Sequence, residues 1–155
     1  MRNLNSIKKL GILPIERLKE KHIKYYYNDE SRLDAQLGGS SVSITSLNIH
    51  LLRTFQRRNK RRWAEIEINP NVVARRNCFF YSCNAASSIF KGAPEEYLSS
   101  YDALTSMFAE TVTSSTRTFK RKNKKPNQTT DDQAEIIVKW MIPKSQLLGW
   151  REINV

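Results

Sequence analysis

The stretch Glu135-Ile136-Ile137-Val138-Lys139-Trp140-Met141-Ile142-Pro143 constrains the fold more than any other. A polar, turn-forming lead-in from Asn127 to Asp132 gives way to β-branched and aromatic residues that suit a pleated strand. Pro143 closes the run, because proline has no N–H for a ladder. Period two puts Ile136, Val138, Trp140 and Ile142 on one face. Glu135, Ile137, Lys139 and Met141 then lie on the other. Both faces are largely apolar, so the strand is expected to be central and buried. A carboxylate at its mouth is costly to desolvate unless something uses it. Read locally, Glu135 is a solvated strand end; the rest of the chain has to argue for more.

At 155 residues the chain reads as a single domain, 1–155, large enough for a core. An apolar content of 39% argues against disorder. No apolar run is long enough to span a membrane, and the polar start Met1-Arg2-Asn3-Leu4-Asn5 does not read as a signal peptide. Cys78 and Cys83 are too few for a disulfide scaffold. Five positions apart in a candidate strand they face opposite ways, so both are expected reduced, in a cytoplasmic protein. With two histidines besides, a zinc site is not expected. His22 and His50 read as surface or packing residues.

The net charge of +11 points to a polyanionic partner. It is concentrated in Arg53, Arg57, Arg58, Lys60, Arg61 and Arg62, and in Lys120, Arg121, Lys122, Lys124 and Lys125. The alternative is a solvated basic surface.

In chain order, residues 3–10 read as a helix capped by Asn3 or Asn5 and ended by Gly11. Residues 15–24 are a second helix or a charged loop. Tyr25-Tyr26-Tyr27 is a strand or a stacking surface, and residues 28–39 have loop chemistry. Ser41 to Thr45 alternates as a strand. Asn48 caps a helix with Ile49, Leu52 and Phe55 on one face. Trp63 to Ile68 and Cys78 to Cys83 are strands, separated by a turn or short helix at 71–75. Asn84 to Phe90 is a short helix. Pro94 opens the clearest helix in the chain, with Tyr97, Tyr101, Leu104 and Phe108 on one side. Residues 111–130 form a long polar and basic loop leading into Glu135, and Arg151 to Val155 is a last strand.

There is no phosphate-binding glycine loop, dinucleotide fingerprint or nucleophile elbow. Asp131 and Asp132 are in basic company, and no second carboxylate group is placed by spacing, so no metal is expected.

Several stretches together resemble one family. Asp132-Gln133-Ala134-Glu135-Ile136-Ile137-Val138 with Ile142-Pro143 looks like the Gln-Ala-Glu signature of the DarT toxins, NAD-dependent ADP-ribosyltransferases that act on DNA bases. Asn3-Leu4-Asn5-Ser6-Ile7 to Gly11-Ile12-Leu13 is similar to the family's opening motif. Ser31-Arg32-Leu33-Asp34 with Ser41-Val42-Ser43-Ile44, and Phe79-Phe80-Tyr81 with Asn84-Ala85-Ala86, agree with it in order and spacing.

The resemblance implies a compact α/β (α+β) ADP-ribosyltransferase fold, a mixed central sheet with flanking helices. It implies NAD as substrate, with Glu135 and Arg57 as catalytic residues. Glu135 would stabilise positive charge on the ribose as nicotinamide leaves, and would act as a base toward the attacking DNA base. Arg57, with Arg58 and Arg53 as alternatives on the same helix, would hold the NAD phosphates; Arg32 and either Phe80 or Tyr81 would also contact NAD. Lys120, Arg121, Lys122, Lys124 and Lys125, with Arg61 and Arg62, would contact DNA, most simply a single strand. It further implies a toxin of a toxin–antitoxin system, countered by a macrodomain antitoxin. In one respect the chain departs from the family, which opens with a short His-x-Thr strand whose histidine contacts NAD; Met1-Arg2-Asn3 stands there instead. The competing expectations are a catalytically degenerate nucleic-acid-binding relative and an unrelated DNA- or RNA-binding module.

Overall fold

The computed structural model describes residues 2–26, 38–45, 47–59, 62–75 and 77–153. Six helices are described: α1 (Leu4–Leu10), α2 (Ile15–Glu20), α3 (Ile49–Asn59), α4 (Asn71–Arg75), α5 (Glu95–Leu98) and α6 (Tyr101–Ser106). The described strands are β1 (Gly39–Val42), β2 (Trp63–Ile68), β3 (Cys78–Tyr81), β4 (Thr111–Thr113), β5 (Thr118–Lys120), β6 (Glu135–Lys139) and β7 (Leu147–Ile153). This is an α+β fold of helices around small sheets.

β6 is the centre, as its two apolar faces require. It runs antiparallel between β1 and β3, in the order β1-β6-β3. Ile136 and Val138 pack with Cys78, Phe80, Val72, Ala103 and Met107 on one face. Ile137 packs with Phe79, Tyr81, Ala85 and Leu98 on the other. Burying an aliphatic side chain of this size is worth about 1.5–3 kcal/mol, so three in succession fix β6 firmly in the core. β2 pairs with β7 and β4 with β5, so every pairing among the described strands is antiparallel where a mixed sheet was expected.

α1 is laid against the end of this core through Gly11. The glycine takes φ 88°, and a Cβ there would sit 2.2 Å from the Ile142 carbonyl oxygen. That approach lets Ile12 and Ile142 exchange both backbone hydrogen bonds, at 2.9 and 2.8 Å. Asn48 caps α3 as expected, its Oδ1 accepting from Leu51 N at 3.0 Å. The Phe55 ring, 6.0 Å from that of Trp63, ties α3 to β2.

Several expectations are corrected. Trp140 does not share the face of Ile136, Val138 and Ile142: its φ of 74° breaks the period and leaves it 58% exposed. Asn3 makes no side-chain bond to α1. Its amide instead binds both backbone groups of Tyr26, which with Tyr25 lies outside any strand. The first strand of the three-stranded sheet begins at Gly39 and ends at Val42, not at Thr45. Cys83 lies beyond β3, and only Ser88–Phe90 of the expected 84–90 helix is helical, as a 3₁₀ turn. The helix expected from Pro94 is split, because Ser100 Oγ accepts from Ala103 N and starts a second helix. The split turns Tyr101 out to 77% exposure. Residues 111–120, expected as loop, form the β4–β5 hairpin. The last strand begins at Leu147, four residues before the expected Arg151. Tyr27, residues 28–37, Val155 and the arginines Arg32 and Arg61 lie outside the described residues.

Candidate functional site

The site is built where β6 begins. Residues 129–134 make a tight corner, buried at Thr129, Thr130, Asp131 and Ala134. Thr129 Oγ1 donates to the Asp131 carbonyl at 2.8 Å. Gln133 N donates to Asp131 Oδ1 at 2.8 Å and Ala134 N to the Asp131 carbonyl at 3.1 Å. Asp131 is only 2% exposed, and burial pushes its carboxyl above the usual aspartate range, against a smaller pull down from the Gln133 N–H. The corner delivers Glu135 as the first residue of β6, partly buried and directly across from Tyr81 of β3.

Both carboxylate oxygens of Glu135 are held. Ala85 N donates to Oε1 at 2.7 Å. The Ser41 hydroxyl, from β1, makes a short hydrogen bond to Oε2. The loop that presents Ala85 is set by Asn84, whose Oδ1 accepts from Ala86 N at 2.8 Å. Three segments distant in sequence thus meet on one carboxylate, and each belongs to a motif singled out above. A carboxylate fixed at both oxygens can face a developing positive charge without first reorienting.

Of the two aromatic candidates, Tyr81 shares the face of Glu135 and meets Phe90 edge-on at 5.0 Å. Phe80 points to the opposite face, into the cluster with Ile136 and Met107. Arg53 and Arg57 are exposed on α3, one turn apart, and so lie on a common face. The side chain of Arg58 lies outside the described set. Arg62 is exposed but grips Glu152 with two short hydrogen bonds. Lys120, Lys122 and Lys125 are exposed. Lys124 is bonded to Asp132 at 2.6 Å. Arg121 turns inward onto the carbonyls of its own segment.

Side-chain chemistry alone did not single out Ser41 or the Ala85 amide. Ser41 was visible in the Ser41-Val42-Ser43-Ile44 motif, and Ala85 in Asn84-Ala85-Ala86. Their convergence depends on pairing across 94 and 50 residues of sequence. Burial makes both thiols poor nucleophiles, pushing Cys78 up to about 11 and raising Cys83 as well. No helix among the described residues is long and apolar enough to cross a membrane.

Residues 1–150 match the family model described as DarT, ssDNA thymidine ADP-ribosyltransferase. None of the curated proteins searched matches the chain.

Proposed function

Since this chain belongs to the DarT family of single-stranded-DNA thymidine ADP-ribosyltransferases, we propose that it transfers ADP-ribose from NAD to thymidine, with Glu135 as the catalytic carboxylate. The observation that carries this reading is the double hydrogen bonding of Glu135 by Ser41 and Ala85 N at the partly buried start of a buried strand. A strand-end glutamate of no consequence has no need of two fixed donors. In the proposed reaction the bond from ribose C1′ to the nicotinamide nitrogen breaks, and positive charge grows on the sugar. The carboxylate stabilises that charge. A bond then forms from C1′ to the thymine imide nitrogen, and the imide proton passes to Glu135 as general base.

The supporting roles follow position. Tyr81, across from Glu135, is assigned to the nicotinamide side, and Phe80 to the core. Arg57, with Arg53 beside it, is assigned to the NAD phosphates, where a guanidinium suits a pyrophosphate. Arg32, Arg58 and Arg61 keep the assignments that the resemblance implies. Lys120, Lys122 and Lys125 are exposed and are assigned to the phosphates of a single strand. A toxin role, a macrodomain antitoxin as partner and a cytoplasmic site of action are part of the same proposal. The reaction is tested by following free nicotinamide in mixtures of the chain and NAD. Release should require a thymidine-containing single strand and be lost in Glu135→Ala. Release at the same rate without DNA, or in the variant, contradicts the assignment.

A further inference from the structure

Of the cations gathered between Lys120 and Lys125, Arg121 behaves unlike the others. Its Nη1 donates to the Gln128 carbonyl at 2.8 Å and to Thr130 Oγ1 at 3.3 Å. Its Nη2 donates to the carbonyls of Lys125 at 3.0 Å and Pro126 at 2.9 Å. A guanidinium carries two hydrogens on each Nη, and four acceptors take them up. Its Cζ lies over the Phe108 ring, 5.6 Å from the centroid. The Arg121 amide donates to the Glu110 carbonyl at 2.9 Å.

Thr130 carries the constraint onward. It is 2% exposed; its hydroxyl donates to the Ala109 carbonyl at 2.6 Å and its amide to the Met107 carbonyl at 2.9 Å. Met107 is in the core against β6. Thr130 itself lies in the 129–134 corner that sets Glu135, next to Asp131. The segment between Arg121 and Thr130 has no aliphatic or aromatic side chain to anchor it apart from Pro126. Its shape therefore rests on hydrogen bonds, and the Arg121 guanidinium supplies four of them.

We propose that Arg121 is a positioning residue for DNA modification: it locks segment 121–130 to Thr130 in the corner that leads into Glu135, and does not itself contact DNA. This rests on the reading of Glu135 given above. A phosphate contact by arginine is characteristically a two-pronged fork, and here the Nη prongs are committed. The phosphate contacts fall instead to Lys120, Lys122 and Lys125. The lock fixes where those lysines stand relative to the carboxylate, and so where the thymine is delivered. Lysine cannot replace Arg121 in this role, because one ammonium cannot reach acceptors spread across a planar fork.

The test uses Arg121→Lys, Arg121→Ala and Thr130→Val in the full chain. At saturating NAD, kcat and KM are measured for a thymidine-containing single strand, alongside Tm and trypsin cleavage at 122–125 without DNA. Arg121→Lys should behave like Arg121→Ala: kcat down roughly a hundredfold, as expected of a small misplacement, with KM and Tm little changed. Cleavage of the segment should speed up in both. Thr130→Val keeps charge and shape and should lower kcat in the same direction. Near-normal kcat in Arg121→Lys, as a phosphate contact would give, overturns the proposal. So does a loss of activity that merely follows a loss of Tm. If the wild type forms no adduct, the reading of Glu135 fails, and the lock is judged on cleavage alone. An Arg121→Lys segment as protected as wild type then overturns it.

Discussion

At the scale of single residues, what separates Glu135 from an ordinary strand-end carboxylate is its two donors. The Ser41 hydroxyl and the Ala85 amide come from opposite sides of β6 and fix both oxygens. A hydrogen bond to a charged group contributes about 1.5–3 kcal/mol, so Ser41→Ala should slow the single-turnover rate roughly ten- to hundredfold. NAD-dependent thermal protection should persist; a wild-type rate in this variant would show that the orientation of Glu135 is irrelevant. Glu135 was conspicuous in the sequence as a carboxylate opening an apolar run, but the run by itself reads as a solvated strand end, and only the family resemblance implied a catalytic role. Ser41 was legible only as part of a motif, and Ala85 acts through a backbone N–H that no side chain advertises. Asp131 makes a separate test. Its folded carboxyl is raised by burial, so the folded state holds the proton more tightly than the unfolded chain does. Its contribution therefore favours folding at acid pH, and is lost as pH rises from the ordinary 3.8 through the raised folded value. Asp131→Asn keeps an acceptor for Gln133 N and removes the titration. The variant should melt at or above the wild type at pH 7, with a flatter fall in Tm as pH rises out of the acid range. A lower Tm at pH 7 contradicts this account of the corner.

At the scale of elements, the chain was most readable where packing and local pattern agree. β6, β2 and the core of β3 follow from apolar and aromatic runs, and α1 ends where Gly11 says it should. Reading failed where a hydrogen bond overrides the pattern. Ser100 starts a new helix inside what looked like one, and the threonines of 111–113 and 118 pair as a hairpin closed by Ser114 and Arg117, although its sequence is polar. Trp140 looked like one more core residue, and only its left-handed backbone shows that the strand has ended. The Arg121 lock looked like one more positive charge in a basic loop. Gly11 carries the element-scale prediction. A methyl group there meets the Ile142 carbonyl at 2.2 Å and inherits a φ of 88°. Gly11→Ala should cost about 1–3 kcal/mol, read as a lower urea midpoint at unchanged slope. An unchanged midpoint would show that α1 is not held by this approach.

At the scale of the whole molecule, the surplus of positive charge suits both proposed substrates, since NAD and single-stranded DNA are each anionic. The charges are not equivalent. Arg62 is spent on Glu152, Lys124 on Asp132 and Arg121 on its own segment, while Lys120, Lys122 and Lys125 remain on the surface. Composition announced a polyanion binder and could not separate those uses. The charge would equally serve a relative that binds DNA and has lost its chemistry. The difference lies in whether the carboxylate that Ser41 and Ala85 hold is used. The most direct measurement is the mass of a thymidine-containing single strand after incubation with the chain and NAD. The account predicts a gain of one ADP-ribosyl group with wild type, none with Glu135→Ala, and none on a strand lacking thymidine. An unmodified strand with wild type, or an equal gain with Glu135→Ala, would contradict it.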